Sequence, residues 1–367
     1  MFTQTAAAGF GRRLLAGPRI ARLANLLTGP HGVDRYTELV EPTWTRRDAR
    51  ARVVAVRRQT PRSVTLTLEP NDAFAGFRAG QHINLSVEIN GRRRIRCYSP
   101  ASAEGASHIE LTIGRHDGGL VSSYLYDHAY AGMVLGLDSV GGDFVLPDPS
   151  TGPLPECILF VSGGSGITPV LSMLRTLRAQ AFTGQIGFVH YARSAEEACY
   201  RDELERICTA MPDVRVLHGY TRDTRGTDLS GRFGPEHLEA ALPGSPPESV
   251  YVCGPTALVT AVEGHCAGVR SESFVPPAFT ATATGGTMTF AESGVAVTDD
   301  GQPLLAQAEA AGLTPQSGCR MGICHSCTRT KTRGAVRNLI TGAVSGTDNE
   351  DIQICVTAPV GDVDINL

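Results

Sequence analysis

The stretch CRMGICHSC, residues 319–327, decides how the rest of this 367-residue chain is interpreted. Its cysteines follow the spacing C-x4-C-x2-C, and a lone further cysteine follows near the C-terminus. Four thiolates in this spacing hold the two irons of a [2Fe–2S] cluster. Gly318 and Gly322 bracket the loop, where the backbone must pass close to the cluster. The predicted metal ligands are Cys319, Cys324, Cys327 and Cys355.

The alternatives to a cluster are a disulfide framework or a zinc site. Structural zinc sites usually contain C-x2-C twice, and this segment contains one such pair. The other six of the ten cysteines are scattered through apolar or motif segments, which is typical of reduced thiols in a cytoplasmic setting. These six are Cys97, Cys157, Cys199, Cys208, Cys253 and Cys266.

The bulk composition excludes several classes of protein. The chain is 42% hydrophobic and 19% charged, with a net charge of −4, which suggests no nucleic-acid partner. No run approaches about 18 uninterrupted apolar residues, so no membrane-spanning helix is expected. The length allows two or three domains of about 150 residues each.

Residues 1–46 are predicted to form a basic, helical N-terminal extension. Four arginines and no acidic residue occur before Asp34. One helix face carries Ile20, Leu23, Ala24 and Leu27. Such a helix docks on its own protein or lies on an anionic membrane surface, which would make the protein peripheral to the membrane. An arginine-bearing start without acids is also typical of an organelle transit peptide.

Residues 47–149 are predicted to form an antiparallel β-barrel of short strands separated by turns. Asn90-Gly91 lies between two of these strands and is a strong hairpin signal. The predicted strands are Ala51–Val56, Ser63–Leu68, Ile83–Ile89, Arg94–Tyr98, Ile109–Ile113 and Val134–Leu137.

Two motifs in this segment suit a flavin nucleotide. Arg96 in the sequence RCYSP, residues 96–100, can pair with a diphosphate as a planar fork. Tyr98 can stack on a flat ring. The sequence GGLVSSYL, residues 118–125, is a glycine turn that enters a helix, and free N–H groups there suit a phosphate.

Residues 150–275 change to alternating strands and helices. Cys157–Val161 is an apolar run typical of a buried parallel strand. The sequence SGGSGITP, residues 162–169, follows it and precedes a helical pattern. Strand, glycine turn and helix together form a site for nucleotide phosphates at the carboxyl edge of a parallel sheet. Further strands are predicted at Ile186–Tyr191 and Val250–Cys253.

At these motifs the chain resembles the ferredoxin–NADP+ reductase superfamily. The matching elements are R-x-Y-S, the later G-x-x-S turn, G-G-x-G-I-T-P and C-G-P. The resemblance implies FAD, although related reductases use either FAD or FMN. It places Arg96 on the FAD pyrophosphate, Tyr98 on one flavin face and Ser99 near flavin N5. The implied phosphate contacts are Val121, Ser122 and Ser123, and Cys97 is expected to contribute only its backbone.

The same resemblance implies a pyridine-nucleotide site. The implied contacts are Gly163, Gly164, Gly166, Thr168, Pro169 and Gly254, with Cys253 beside the nicotinamide. The resemblance also implies that Glu272 and Phe274 border the flavin. The implied hydride-transfer residues are Ser99, Cys253 and Glu272.

The choice between NADPH and NADH depends on the residues that follow the second strand. Arg193, Ser194 and Arg201 favour the 2′-phosphate of NADPH. The acidic Glu196 and Glu197 favour NADH instead.

After a linker at residues 276–286, residues 287–367 resemble the β-grasp fold of plant-type ferredoxins. Met288–Phe290 and Val295–Thr298 form a predicted hairpin, and Leu304–Ala311 a predicted helix. Five basic residues lie near the cysteines in sequence and predict a basic docking surface: Arg320, Arg329, Lys331, Arg333 and Arg337.

Together these segments predict a multidomain electron-transfer enzyme. Hydride passes from NADPH to FAD, and single electrons pass through the [2Fe–2S] cluster to a terminal acceptor protein. The domain order resembles reductases that serve membrane acyl-CoA (stearoyl-CoA) desaturases. One alternative is the reductase of a soluble oxygenase, a P450 or an alkane hydroxylase. An alternative of another class is a redox sensor or scaffold that binds cofactors without turnover.

Overall fold

The computed structural model describes residues 34–148, 152–274, 279 and 282–367. The predicted helix face at residues 20–27 and part of the predicted linker lie outside these ranges. Within them, no helix is long and apolar enough to cross a bilayer.

A short helix, α1 (Asp34–Val40), precedes the first sheet and is held to it by ion pairs. The Arg50 guanidinium lies 3.0 Å from Glu38, and Arg52 pairs with Glu41. Both arginines belong to the first strand, so this part of the N-terminal extension is joined to the sheet that follows it.

The first sheet is antiparallel, with the strand order β4-β3-β6-β1-β2-β5. Its strands are β1 (Arg50–Thr60), β2 (Ser63–Pro70), β3 (His82–Ile89), β4 (Arg92–Tyr98), β5 (Ile109–Gly114) and β6 (Val134–Gly141). Asn90 and Gly91 have φ angles of 53° and 70°, as a two-residue turn of type I′ requires. Helix α2 (Leu120–His128) buries Val121 and Leu125 in the core of this sheet.

The second sheet is parallel, with the strand order β11-β10-β7-β8-β9. Its strands are β7 (Cys157–Gly163), β8 (Gln185–Ala192), β9 (Val214–Tyr220), β10 (Ser249–Cys253) and β11 (Val269–Glu272). The helices around it are α3 (Ile167–Ala179), α4 (Arg201–Ala210), α5 (Pro235–Ala241) and α6 (Thr256–Glu263). Every residue of β7 is buried, as expected for a central strand covered on both faces. Strands β9 and β11 were not predicted from the sequence.

Polar contacts fix the first two sheets against each other. The Ser172 hydroxyl of α3 donates to the Ser102 carbonyl at 2.7 Å. The Arg175 guanidinium lies 3.4 Å from Glu110 of the first sheet and 2.6 Å from Glu203 of the second unit. Arg175 is mostly buried, so its two ion pairs are shielded from solvent and help to hold the first two sheets together.

The third sheet is mixed, with the order β13-β12-β17-β14-β15 and with β16 paired to β14. Its strands are β12 (Thr287–Phe290), β13 (Val295–Thr298), β14 (Thr328–Asn338), β15 (Val344–Ser345), β16 (Glu350–Gln353) and β17 (Thr357–Ile365). Helix α7 (Leu304–Ala310) packs Leu304 and Leu305 into the core. The cysteine loop, residues 317–327, lies between α7 and β14 and opens directly into that long strand.

Candidate functional site

A cleft of about 680 Å³ lies between the first and second sheets. Its lining includes residues 163–166, which follow β7, and residues 191–193, which end β8 and follow it. Thr112 and residues 114–117 line the opposite wall from the first sheet. Because ligands of open α/β sheets bind beyond the carboxyl ends of the strands, this position suits a pyridine nucleotide.

The glycine turn at the floor of the cleft leaves no room for a side chain at two of its positions. A Cβ at Gly166 would lie 2.2 Å from the Cys253 carbonyl oxygen, and one at Gly163 would lie 2.9 Å from Pro255. Gly164 has a φ of +57°. The close packing brings the start of α3 against the Cys253–Pro255 turn, so a bound phosphate can approach the backbone N–H groups of the helix.

Two residues predicted in this motif do not line the cleft. Thr168 and Pro169 are buried in the first turn of α3, and the Thr168 hydroxyl donates to the Ser165 carbonyl at 3.2 Å. Their side chains stabilise the turn from behind, because this side of α3 packs on the sheet.

Three residues predicted for hydride transfer bury their polar groups. Cys253 has no solvent exposure, and burial together with the Glu272 charge raises the pKa of its thiol. Glu272 pairs with Cys253 in strand register, and burial raises the pKa of its carboxyl to about 8. Within the described residues, Ser99 Oγ and Glu272 Oε2 are shielded from solvent and have no hydrogen-bond partner. Since buried polar atoms are normally satisfied, these two fit a bound ligand.

Phe274 and Gly254 also line the cleft. The Phe274 ring packs against the hydrophobic core of the second sheet.

The basic residues predicted for the 2′-phosphate occupy different environments. Arg193 lines the cleft and lies 3.6 Å from Glu197. Ser194 follows it at the end of β8. Arg201 does not line the cleft. Its guanidinium instead pairs with Glu205 at 3.0 Å along α4. The prediction that Arg201 helps to bind the nucleotide is therefore not supported by its position.

Sequence reasoning missed three arginines that line the cleft. Arg62 pairs with Asp117 at 3.1 Å, and Arg115 lies 3.8 Å from Asp127. Arg232 is exposed, and among the described residues no carboxylate pairs with it. It lies in a Gly-Arg-Phe-Gly loop before α5, about 40 residues after the end of β8, so no pattern next to that strand indicates it.

The predicted flavin-phosphate residues are placed as follows. Val121 is buried in the core of the first sheet. The first turn of α2 holds two hydroxyls close to His116: the His116 N–H donates to Ser122 Oγ at 3.4 Å, and Ser123 Oγ donates to the His116 carbonyl at 3.4 Å. The turn is thus ordered by its own hydrogen bonds at the N-terminus of a nine-residue helix.

Arg96 and Tyr98 both belong to β4, on either side of Cys97. The Arg96 guanidinium donates to the Ile95 carbonyl at 2.7 Å and to the Ser317 carbonyl at 3.5 Å. The Tyr98 ring packs against the core of the first sheet, and burial raises the pKa of its hydroxyl. The R-x-Y-S motif therefore touches the cysteine loop as well as its own sheet.

The four predicted ligand cysteines are all buried. Backbone N–H groups point at their sulfurs: Cys319 N donates to Cys324 Sγ at 3.1 Å, and Met321 N donates to Cys319 Sγ at 3.3 Å. A Cβ at Gly318 would lie 2.5 Å from Cys324 Sγ. The donor set, the N–H groups and the glycine that makes room for sulfur fit a thiolate-held iron–sulfur cluster.

Cys97 departs from the expectation that only its backbone would matter. Its sulfur and those of Cys319 and Cys324 all lie within 4.8 Å of one another. The alternating geometry of β4 turns the Cys97 side chain toward the cysteine loop, a contact that no local sequence pattern reveals.

The predicted basic docking surface is also only partly present. Lys331 is fully buried and donates to the Gly334 and Thr347 carbonyls at 2.8 and 2.5 Å. The Arg320 guanidinium pairs with Glu309 at 2.7 Å. The prediction was wrong for Lys331, because the backbone carbonyls around β14 hold its ammonium group inside the fold.

Comparisons with known proteins agree with the first two sheets. Residues 55–145 match the oxidoreductase FAD-binding domain family, and residues 160–264 match the oxidoreductase NAD-binding domain family. An NADPH oxidoreductase of Mycobacterium tuberculosis (strain ATCC 25618 / H37Rv) is 33% identical over 355 residues, covering 94% of this chain and 90% of that protein.

Two further relatives extend the comparison. The glycine betaine monooxygenase reductase subunit of Pseudomonas aeruginosa (strain UCBPP-PA14) is 29% identical over 324 residues, covering 79% of this chain and 87% of that protein. A solved structure of phthalate dioxygenase reductase has a TM-score of 0.57 at 24% identity, covering 87% of this chain and 97% of that chain. The similarity to phthalate dioxygenase reductase concerns the fold.

An antiparallel sheet of the FAD-binding type, joined to a parallel sheet of the NAD-binding type, defines a flavin-dependent pyridine-nucleotide oxidoreductase. The chain belongs to the ferredoxin–NADP+ reductase family of NAD(P)H oxidoreductases.

Proposed function

We propose that this chain takes hydride from NADPH onto FAD and delivers single electrons through a [2Fe–2S] cluster to a separate acceptor protein. The observation that carries the proposal is the contact between the cysteine loop and β4. Through that contact, a cluster held by Cys319, Cys324, Cys327 and Cys355 would lie beside the motif that is implied to hold the flavin.

Three residues whose polar groups are shielded from solvent, and which do not themselves line the cleft, support the hydride half of the proposal. A bound flavin accepts hydride and passes on single electrons, whereas the cluster carries one electron at a time. Ser99 Oγ offers a buried hydroxyl to the reacting ring, and Cys253 closes the site against water. Because the pKa of Glu272 is raised to about 8, its carboxyl holds a proton at neutral pH and can donate a hydrogen bond there.

Cations at the mouth of the cleft support NADPH over NADH. Arg193 and Arg232 both line it, and the Arg232 guanidinium is exposed. A guanidinium binds a phosphate with charge-assisted, often bidentate hydrogen bonds. Because Glu197 partly compensates Arg193, Arg232 is the stronger candidate for the 2′-phosphate.

The cysteine loop supports the electron-transfer half. Burial of the thiols excludes water, and the two backbone N–H groups stabilise negative charge on the ligand sulfurs. The third sheet, with its parallel β12–β17 pair and antiparallel hairpin, is proposed to be a ferredoxin-type domain that carries this loop.

The acceptor favoured by the comparisons is the terminal component of an oxygenase. One relative is named as the reductase subunit of a glycine betaine monooxygenase. A membrane acyl-CoA desaturase is the second candidate, which is favoured by the arginines and the absence of acids in residues 1–33. Reconstitution with each class of acceptor, scored by product formation, separates them.

The experiment that tests the proposed function compares two electron acceptors. NADPH should drive reduction of cytochrome c through the cluster and of ferricyanide directly from the flavin, with a higher kcat/KM than NADH. The purified protein should contain FAD, iron and acid-labile sulfide. Cofactor binding without NADPH-dependent turnover would instead indicate a sensor or scaffold.

A further inference from the structure

Three thiols from two domains meet where the cysteine loop touches the first sheet. The sulfurs of Cys97, Cys319 and Cys324 lie within 4.8 Å of one another, and Cys97 belongs to β4. We propose that Cys97 is a positioning residue, which seats the cluster loop on the flavin domain and sets the rate of electron transfer between them. The inference rests on the proposed function, because it concerns the cluster that this function requires.

The Cys97 thiol is held in place by Asn84. These residues are direct partners across the β3–β4 ladder, and the Cys97 thiol donates to Asn84 Oδ1 at 2.9 Å. The Asn84 amide donates to Ser139 Oγ at 2.7 Å and to the Cys324 carbonyl at 3.4 Å. With only 4% of its surface exposed, Asn84 links the thiol of the first sheet to the backbone of the cluster loop.

A second contact comes from the residue before Cys97. The Arg96 guanidinium donates to the Ser317 carbonyl at 3.5 Å, just before the first ligand cysteine. Arg96 and Cys97 therefore both touch the loop, and Tyr98 and Ser99 follow them directly. The segment 96–99 therefore connects the motif that is implied to hold the flavin with the loop that is proposed to hold the cluster.

The chemistry of sulfur suits this position. A polarisable thiol in contact with two ligand sulfurs changes the local polarity, and groups around ligand sulfurs help to set the potential of an iron–sulfur cluster. In the step itself, one electron would pass from a bound flavin to a cluster held by the four cysteines. Cys97 is neither oxidised nor reduced in this step. It fixes the distance and the surroundings of the two partners.

The test uses the full-length holoprotein and the variants Cys97→Ala, Cys97→Ser and Asn84→Ala. Stopped-flow absorbance resolves flavin reduction by NADPH from the later reduction of the cluster. Electron paramagnetic resonance records the spectrum and the midpoint potential of the reduced cluster. Cys208→Ser is the matched control, because Cys208 is a half-buried free thiol on α4, away from both contacts.

In Cys97→Ala, flavin reduction should stay at the wild-type rate. The flavin-to-cluster step should slow by about tenfold, the lower end of the cost of changing a partner of metal ligands. The resonance spectrum should also change. Cys97→Ser should fall between alanine and wild type, because its hydroxyl can still donate to Asn84. Asn84→Ala should resemble Cys97→Ala, and Cys208→Ser should match wild type.

A wild-type step rate together with a wild-type spectrum in Cys97→Ala would overturn the inference. Loss of iron from Cys97→Ala with full flavin content would also overturn it, since Cys97 would then act as a ligand. Absence of a [2Fe–2S] cluster from the wild-type protein would refute the proposed function itself. If the wild-type protein contains the cluster, the results for the variants test only the role of Cys97.

Discussion

The cleft proposed for the nucleotide and the cysteine loop proposed for the cluster differ in how they would enclose a redox group. The cleft is open, measures about 680 Å³ and is lined by exposed arginines. The cysteine loop is closed, with buried sulfurs that accept hydrogen bonds from their own backbone. A group that must leave after each turnover needs an open cleft, whereas a resident group is best enclosed by ligands that water cannot reach.

The two regions also use glycine differently. In the cleft, Gly166 lets two backbone segments approach, because a Cβ there would meet the Cys253 carbonyl. In the loop, Gly318 makes room for the sulfur of Cys324. The first allows a ligand to contact N–H groups, and the second allows ligand atoms of the protein to converge. Variants in each region should therefore fail in different steps of the reaction.

The largest effect is expected from Cys355→Ser, which removes one proposed ligand. Iron and sulfide content should fall to background, and cytochrome c reduction should drop by more than about 100-fold, beyond the usual cost of changing an outer partner. Ferricyanide reduction by NADPH should remain, because the cleft is untouched. Metal analysis and the two assays check this, with Cys266→Ser as the control. Retained iron and activity would remove Cys355 from the ligand set.

Gly166→Ala should disrupt the cleft without affecting the cluster. Overpacking against the Cys253 carbonyl costs about 1–3 kcal/mol, which corresponds to a fall in Tm of roughly 3–10 °C. The affinity for NADPH should fall as well, while iron content stays at the wild-type level. Calorimetry and a binding titration measure the two effects. Gly152→Ala is the matched control, because nothing lies within 4 Å of its Cβ position. Equal behaviour of the two variants would contradict the packing argument.

Arg232→Ala should change the preference for the nucleotide. Loss of one charge-assisted contact with phosphate should raise the KM for NADPH by about tenfold. The KM for NADH should change little, because NADH lacks the 2′-phosphate. Steady-state kinetics with both nucleotides measure this effect. Arg201→Ala serves as the comparison, because Arg201 pairs with Glu205 outside the cleft. A larger effect from Arg201→Ala would reverse the assignment.

Glu272→Gln should change the pH dependence of stability and leave the cluster in place. Burial raises the pKa of Glu272 from 4.5 to about 8, so between these values the folded chain keeps a proton that the unfolded chain releases. Stability therefore falls as pH rises through this window, by at most about 1.4 kcal/mol per pH unit. In the Glu272→Gln variant, stability should no longer fall with rising pH in this window. Tm measured against pH tests it, with the exposed Glu88→Gln as the control.

Local sequence signals located the features that depend on neighbours along the chain. The hairpin at Asn90-Gly91 was predicted because it requires positive φ angles, and the glycine turn at Gly163–Gly166 because it joins a strand to a helix. The cysteine spacing predicted four ligand thiols, and the structure buries each of these four side chains.

Tertiary contacts determine what local patterns could not show. Arg232 reaches the cleft because the loop before α5 packs beside the end of β8. Cys97 meets Cys319 only because two domains touch, and Lys331 is buried only because carbonyls from Gly334 and Thr347 surround it. The sequence shows which residue stands at each of these positions. It does not show which other residues surround that position in the folded chain.

Anaerobic titration of the full-length protein with NADPH, followed by electron paramagnetic resonance, tests the central claim most directly. The account predicts bleaching of the flavin absorbance and the signal of a reduced [2Fe–2S] cluster, amounting to about one spin per chain. Flavin bleaching in a protein that contains no iron, or that holds zinc in the cysteine loop, would contradict it.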